Sequence, residues 1–445
     1  MPKKKEEEAP TRTEILRGLT RGLSRSDEVV FTPADKLFNV HEIRLDSGIF
    51  SLNLALNGGY PCGQNVIIYG EPNVGKDLTA NLCLAALQRN KGKEATAAFI
   101  NNEGEFDKNF ARLVGCKLDW SDGEIDLWEE RHKKKLPAKK KKELKNEGIG
   151  DIWFPHAKDA QAAMDLILDL SSAGVFDMIV LNSIDGLILA EAMAGAQKDG
   201  ISGASKGRGG QGRAQLLSDF FRLKGHIMQE PVKVKRRGRS VEEKRRTVCF
   251  FISQLRMAQI GPNITLDKQQ TGGWALKHYS GVTLQMSRVS GKETYTGPQS
   301  KKAPDHVETS HLINYYLKKV KYGAADGKNV QVRYYKHDHV GKESTIPAGT
   351  LDEAEAIRTA LLDTDWLVQH GSRGYYLRLP GHEERFIAGG RMLVDEVLRD
   401  EEEVRWACQK LLTERVSGTE VEENLPKVPG VGEDGSGEVR KDDKG

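Results

Sequence analysis

The chain has 445 residues, with 67 Lys+Arg against 64 Asp+Glu and a hydrophobic share of 38%, enough for two or three cores at ~150 residues per domain. A formal net charge of +3 means that any affinity for polyanions must come from local clustering. No apolar run approaches the ~20 residues of a membrane span, Met1 to Glu8 hold no apolar signal segment, and five scattered cysteines without CxxC spacing exclude a disulfide scaffold or zinc finger; the expectation is a cytoplasmic protein without membrane contact.

In chain order, the charged first ten residues read as disordered. Residues 12–24 place Ile15, Leu16, Leu19 and Leu23 on one side of a short amphipathic helix, followed by apolar Val29-Val30-Phe31. Residues 1–40 form an N-terminal arm. From 41 to 340 apolar runs at 65–69, 95–100, 177–182, 248–252 and 281–286 read as strands, and 76–91, 106–114, 158–172 and 211–227 as helices. Near-continuous apolar strands between helices predict an α/β core with a mostly parallel sheet covered on both faces. Two basic insertions interrupt it, 118–148 (Arg131, Lys133–Lys135, Lys139–Lys142) and 230–246 (Lys233, Lys235, Arg236 and onward). A disordered charge block, a duplex-capturing patch and a nuclear localisation signal all fit them. A smaller α+β unit spans 341–416, and 417–445, with eight acidic and four basic side chains, reads as a disordered acidic tail.

The strand at 65–69 runs into Gly70-Glu71-Pro72-Asn73-Val74-Gly75-Lys76-Asp77, and Leu78 continues into a helix. This is GxxxxGK in the strand–loop–helix context that a phosphate-binding loop requires. Gly70 and Gly75 permit the tight turn, backbone N–H groups surround phosphate oxygens, the helix N-terminus adds its positive end, and Lys76 reaches the outer phosphates. The segment Gly70–Leu78 is therefore the expected ATP-binding loop. Two positions depart from the pattern. Asp77 replaces the usual Ser/Thr ligand of Mg²⁺, and the strand at 177–182 ends in Asn182 where a carboxylate is usual. Two readings follow: Asp77 and Asn182 form a compensated Mg²⁺ site, or the site has decayed to nucleotide binding without hydrolysis.

Beyond this loop the chain resembles the RecA family of homologous recombinases, in the divergent style of phage-encoded members. Ser51-Leu52-Asn53-Leu54-Ala55-Leu56 before Gly58-Gly59 is similar to the family's SLDIALG segment, and Phe99-Ile100-Asn101-Asn102-Glu103 to its FIDAE strand end. Phe251-Ile252-Ser253-Gln254-Leu255-Arg256-Met257 resembles FINQIRM. Thr271-Gly272-Gly273-Trp274-Ala275-Leu276-Lys277 with Tyr279 resembles TGGNALKFY, and Lys319-Val320-Lys321 sits where the family has paired lysines. The motifs fall in family order over about 45–415.

The resemblance implies an ATP- and Mg²⁺-dependent DNA recombinase that forms a helical homo-oligomeric filament on single-stranded DNA and pairs it with homologous duplex DNA. Glu103 would be the catalytic base. Asp107 and Phe110 would hold adenine, Gln254 would sense the γ-phosphate, and Lys319 and Lys321 would reach the neighbouring subunit's nucleotide. Two loops would meet DNA, 191–212 with Lys198, Lys206, Arg208 and nearby Arg213, and 256–273 with Arg256 and Lys268. The alternatives are a hydrolysis-deficient filament or scaffold protein and another RecA-fold DNA motor.

Overall fold

The computed structural model describes residues 42–417, apart from 105, 206–208, 237–238, 260–265, 271–272, 297–306, 323–325, 341–344, 372–373 and 381–383. The expected N-terminal arm and the tail from 418 onward lie outside the described residues. In chain order the core runs β1 (Asn65–Gly70), α1 (Lys76–Lys91), β2 (Thr96–Asn101), α2 (Lys108–Leu113), β3 (Asp151–Trp153), α3 (Ala160–Ala173), β4 (Met178–Asn182), α4 (Ala190–Ser205), α5 (Gly209–Ile227), β5 (Val248–Gln259), α6 (Gly273–Tyr279), β6 (Val282–Arg288), β7 (Val307–Val320) and β8 (Asn329–Tyr335).

Val66, Ile67, Ile68 and Tyr69 are all buried, because β1 lies inside the sheet with both faces covered. Successive side chains alternate between those faces. Ile67 and Tyr69 join Ile100, Leu181 and Phe251 in one layer, closed by Met164 and Ile167 of α3 and Phe220 and Phe221 of α5. Helix α1 packs against β1 and β4 and is buried nearly all round from Lys76 to Gln88. The strand order is β8-β7-β6-β1-β5-β4-β2-β3, with Leu351–Asp352 flanking β8. From β6 to β3 every pairing is parallel, while β7 and β8 are antiparallel. The expected α/β class with a mostly parallel sheet holds.

After β8 come helix α7 (Ala354–Asp363), a three-stranded antiparallel sheet (Leu367–Gln369, Tyr375–Leu377, Arg385–Ala388) and helices α8 (Arg391–Asp400) and α9 (Glu402–Ser417). Their core of Ile357, Leu361, Leu377, Val394 and Leu411 also takes in Phe50, from the short helix Phe50–Ala55 that precedes β1. Glu353 fastens this union by accepting from Phe50 N (2.9 Å), Ser51 N (2.8 Å) and Ser51 Oγ (2.8 Å).

Three expectations need correction. Residues 191–205 are not a flexible loop but lie in α4: Ala, Glu, Met, Gln and Lys are good helix formers, and they outweigh glycines that cost about 1 kcal/mol each. The strand that begins at 248 does not end at 252, and 256–273 does not begin as a loop. That strand continues to Gln259 and pairs antiparallel with Leu266–Gln270, in register from Leu255↔Gln270 to Gln259↔Leu266. Reading 118–148 as a disordered charge block also fails, since the segment folds into helices Asp122–His132 and Ala138–Lys145. A capping box between Ser121 and Glu124 starts the first helix, and Ile125 is buried beneath it. Ion pairs Lys141–Glu129 (2.8 Å) and Lys145–Asp122 join the two. Most backbone of 230–246 likewise forms a hairpin, Pro231–Arg236 with Arg239–Lys244.

Candidate functional site

The parallel pairings align strand ends, and this builds the site. Gly70 lies opposite Gln254, Asn101 opposite Asn182, and Asn182 opposite Ile252. Gly70, Glu103, Asn182 and Gln254 therefore converge at the carboxyl ends of the strands, the usual ligand crevice of such sheets. The loop between β1 and α1 needs left-handed backbone at Asn73 (φ 58°) and Gly75 (φ 100°). A Cβ at Gly70 would stand 2.4 Å from the Met286 carbonyl oxygen on β6, so only glycine lets the loop leave the sheet there.

Lys76 is buried, and its Nζ donates to the carbonyls of Glu71 (2.8 Å) and Gly70 (3.2 Å), bracing the loop from inside. Burial lowers its pKa, while the carboxylates of Asp77, Glu103 and Asp185 oppose that shift. Asp77 and Asn182 touch: Asn182 Nδ2 donates to Asp77 Oδ1 at 3.0 Å. Desolvation raises the Asp77 carboxyl and Glu103 adds to this, while Lys76 and the Asn182 amide counteract it. The pair leaves Asp77 Oδ2 and the Asn182 side-chain oxygen as oxygen donors, which suits a hard cation. Among the described residues no group of three His, Cys, Asp or Glu could hold a metal; Mg²⁺ commonly needs only one or two carboxylates beside the substrate phosphates.

Glu103 lies just beyond β2, held from two sides. Gln254 Nε2 donates to its carboxylate oxygens at 3.1 and 3.3 Å, and the buried Ser183 hydroxyl donates to Oε1. Asp185 accepts from the Gln254 backbone N–H at 2.7 Å. Ser183 and Asp185 escaped the sequence reading. Their signal was the polar turn Asn182-Ser183-Ile184-Asp185 directly after a buried strand.

Other candidates sit differently from expectation. The Asp107 carboxylate accepts from Phe110 N (2.9 Å) as the N-cap of α2, so it already serves its own helix. Phe110 is half-buried and meets Tyr334 edge-on at 6.5 Å. Both line a cleft with Asp77, Asn101, Phe106 and Asn182. Lys319 donates to the carbonyls of Lys277 (2.7 Å) and His278 (3.1 Å) at the end of α6, inside its own chain. A bulge between Thr283 and Leu284 interrupts the β6–β7 register beside it, and Lys321 follows the end of β7 with its ammonium 5.4 Å from the Tyr322 ring. Lys198 is exposed on α4 and Arg213 half-buried on α5. Arg256 and Lys268 fall on the paired strands of the β5 hairpin, Arg256 opposite Gln269 and Lys268 opposite Met257. Lys206 and Arg208 lie outside the described residues.

No family model matches the chain. It is similar to proteins named RecA from Halalkalibacterium halodurans (26% identity over 247 residues, 55% of this chain and 54% of the relative) and Nostoc punctiforme (26% over 246 residues, 55% and 52%). A third, from Bacteroides thetaiotaomicron, is 27% identical over 244 residues, 54% of this chain and 56% of the relative. The chain thus spans about half the length of the curated relatives it matches. Its similarity to these RecA proteins, with the parallel core and the phosphate loop, supports a divergent RecA-family member.

Proposed function

We propose that the chain is an ATP-dependent recombinase that assembles as a filament on single-stranded DNA and pairs it with homologous duplex DNA. The observation that carries this reading is Glu103, gripped by Gln254 and Ser183 at the mouth of the phosphate loop. A carboxylate fixed there can orient a water and take its proton. Lys76 supplies fixed positive charge for the phosphates, and the loop N–H groups cradle them. Asp77 and Asn182 would hold Mg²⁺, which would neutralise phosphate charge. Gln254 belongs to β5, which runs unbroken into the hairpin carrying Arg256 and Lys268. A change in the Gln254–Glu103 contact can thus pass along one strand to the DNA-facing segment. Residues 1–40 would dock on the next subunit.

The test is ATP turnover with and without single-stranded DNA. Turnover should need Mg²⁺ and rise with DNA, and Glu103→Gln should cut it ~10²-fold or more while nucleotide binding persists. Equal turnover by both proteins removes Glu103 from the role of base. A second reading, a nucleotide-binding filament without hydrolysis, draws on the Asp77–Asn182 pair, which sets a carboxylate beside the phosphate loop. Tight ATP binding with no turnover by the unaltered protein would select it.

A further inference from the structure

We infer that the two basic insertions form one binding surface for the phosphate backbone of duplex DNA, at the end of the sheet opposite the nucleotide crevice. Topology carries this. The helical insertion returns to the core just before β3: Ile149 N donates to Lys117 O (3.3 Å) and Asp151 N to Ala95 O (2.8 Å), the residue preceding β2. The hairpin returns just before β5, with Val248 N donating to Asp177 O (2.9 Å) and Cys249 N to Gln64 O (3.1 Å). Gln64, Ala95, Asp177 and Thr247 each immediately precede a parallel strand. Both insertions are therefore rooted at the amino ends of the strands, while Gly70, Glu103, Asn182 and Gln254 mark the carboxyl ends.

Both roots are firm. Arg112 binds Glu124 (2.7 Å) and the Asp119 carbonyl (2.7 Å) and stacks 4.5 Å over Trp120, and Trp120 Nε1 donates to Glu147 (3.1 Å). Buried Arg245 donates to the carbonyls of Ser172 and Ile227, both at 2.9 Å, at the foot of the hairpin.

Charge selects the partner. Residues 131–142 hold eight Lys and Arg and no acid, and 233–246 hold eight against two, together +14 in a chain of net charge +3. Over its full span, 118–148, the first insertion holds nine basic and eight acidic side chains, so its positive charge is gathered in the stretch 131–142 that would face the polyanion. In the helical insertion Lys141 and Lys145 are spent on ion pairs, but Lys133, Lys134, Lys139 and Lys142 are exposed and make no ion pair among the described residues. Between the two roots lie β4 and β2, so three strand spacings separate them, ~14 Å at ~4.8 Å each. The roots are thus spaced comparably to the ~12 Å width of the major groove, so one duplex can span both insertions. A single strand offers no such fixed spacing.

The inference extends the recombinase reading by locating a surface for the duplex, yet its test needs no nucleotide turnover. Full-length protein would be titrated with a fluorescent 30-base-pair duplex without nucleotide, at several salt concentrations. Changing Lys133, Lys134, Lys135, Lys139 and Lys142 to Ala should lower affinity ~10-fold or more and flatten the log–log salt slope by up to ~4, at ~0.9 per phosphate contact. The same five changed to Arg should keep both. Single-strand-stimulated ATP turnover should be equal in all three proteins, so a wrong functional reading and a wrong duplex surface give different results. Unchanged duplex affinity and slope in the Ala variant overturn the proposal. So does a wild type that binds duplex no better than the Ala variant while a peptide of residues 418–445, with its acidic excess, binds wild type alone.

Discussion

At position 77 a carboxylate stands beside the phosphate loop, and at position 182 an amide donates to it at 3.0 Å. Because they touch, their substitutions should not act independently. Asp77→Thr alone leaves the amide without its acceptor, and Asn182→Asp alone sets two carboxylates side by side. Each single change should lower Mg²⁺-dependent ATP turnover, and the pair together should restore much of it. A double-mutant cycle on turnover checks this, and additive effects would dissolve the coupling. Another residue carries a pH signature. Buried His311 makes no ring hydrogen bond among the described residues, and burial, with Arg288 and Lys336 nearby, lowers its pKa from 6.5 to about 4. A depressed histidine binds its proton first in the unfolded chain. Its contribution is therefore complete above pH 6.5 and drains away as pH falls toward 4. His311→Asn should flatten the acid limb of stability between those limits in urea titrations at stepped pH. An unaltered limb would mean that other groups set it.

At the scale of elements, the inserted helices are held by a few contacts that concentrate on Arg112. Truncating Arg112→Ala removes hydrogen bonds to Glu124 and to the Asp119 and Leu118 carbonyls, together with the stacking on Trp120, a loss of ~1–3 kcal/mol. Amide exchange should quicken across 118–148 and stay slow in β1 and β4; uniform quickening would show that the insertion is integral to the core. Partial burial works against Glu124 ionisation, yet hydrogen bonds from Arg112 and Ser121 hold its pKa at about 2. The anchor should therefore be whole above pH 4.5 and weaken only as pH falls toward 2. These elements also show what was legible beforehand. Helix α1 falls on 76–91 and the core strands start within a residue of the apolar runs, because burial on both faces writes itself as contiguous hydrophobicity. The insertion was opaque: Arg112 with Glu124 and Trp120, and the Lys141–Glu129 and Lys145–Asp122 pairs, join separate elements, which no local pattern displays. The second half of β5 depends likewise on a partner strand at 266–270. In the site, the loop was legible because Gly70–Leu78 is contiguous, whereas the grip of Ser183 on Glu103 joins residues 80 positions apart.

For the molecule as a whole, the sequence reading of a smaller α+β unit at 341–416 implies that the segment after β8 folds as a domain of its own, and the structure gives a way to test it. Its core includes Phe50, which the chain delivers before β1, and Glu353 takes three hydrogen bonds from Phe50 and Ser51. Separating the segment from the rest would expose an apolar ring and strip partners from two backbone N–H groups at once. Glu353→Ala does only the second, so it probes the linkage without emptying the core. Leaving part-buried donors unpaired costs ~1–3 kcal/mol each, and a chain of this size loses ~2 °C or more of Tm per kcal/mol. If helix Phe50–Ala55 binds the two parts into one cooperative unit, calorimetry of Glu353→Ala should show a single transition several degrees lower. If the linkage is weak, the endotherm should split, with a small early transition for residues 350–417 and an unshifted main one for the parallel sheet. The split would make the C-terminal segment an independent domain. A single lowered transition would mean that destabilising this distant helix also loosens the strands that carry Gly70 and Gln254, and ATP affinity measured just below the new midpoint should then fall with it.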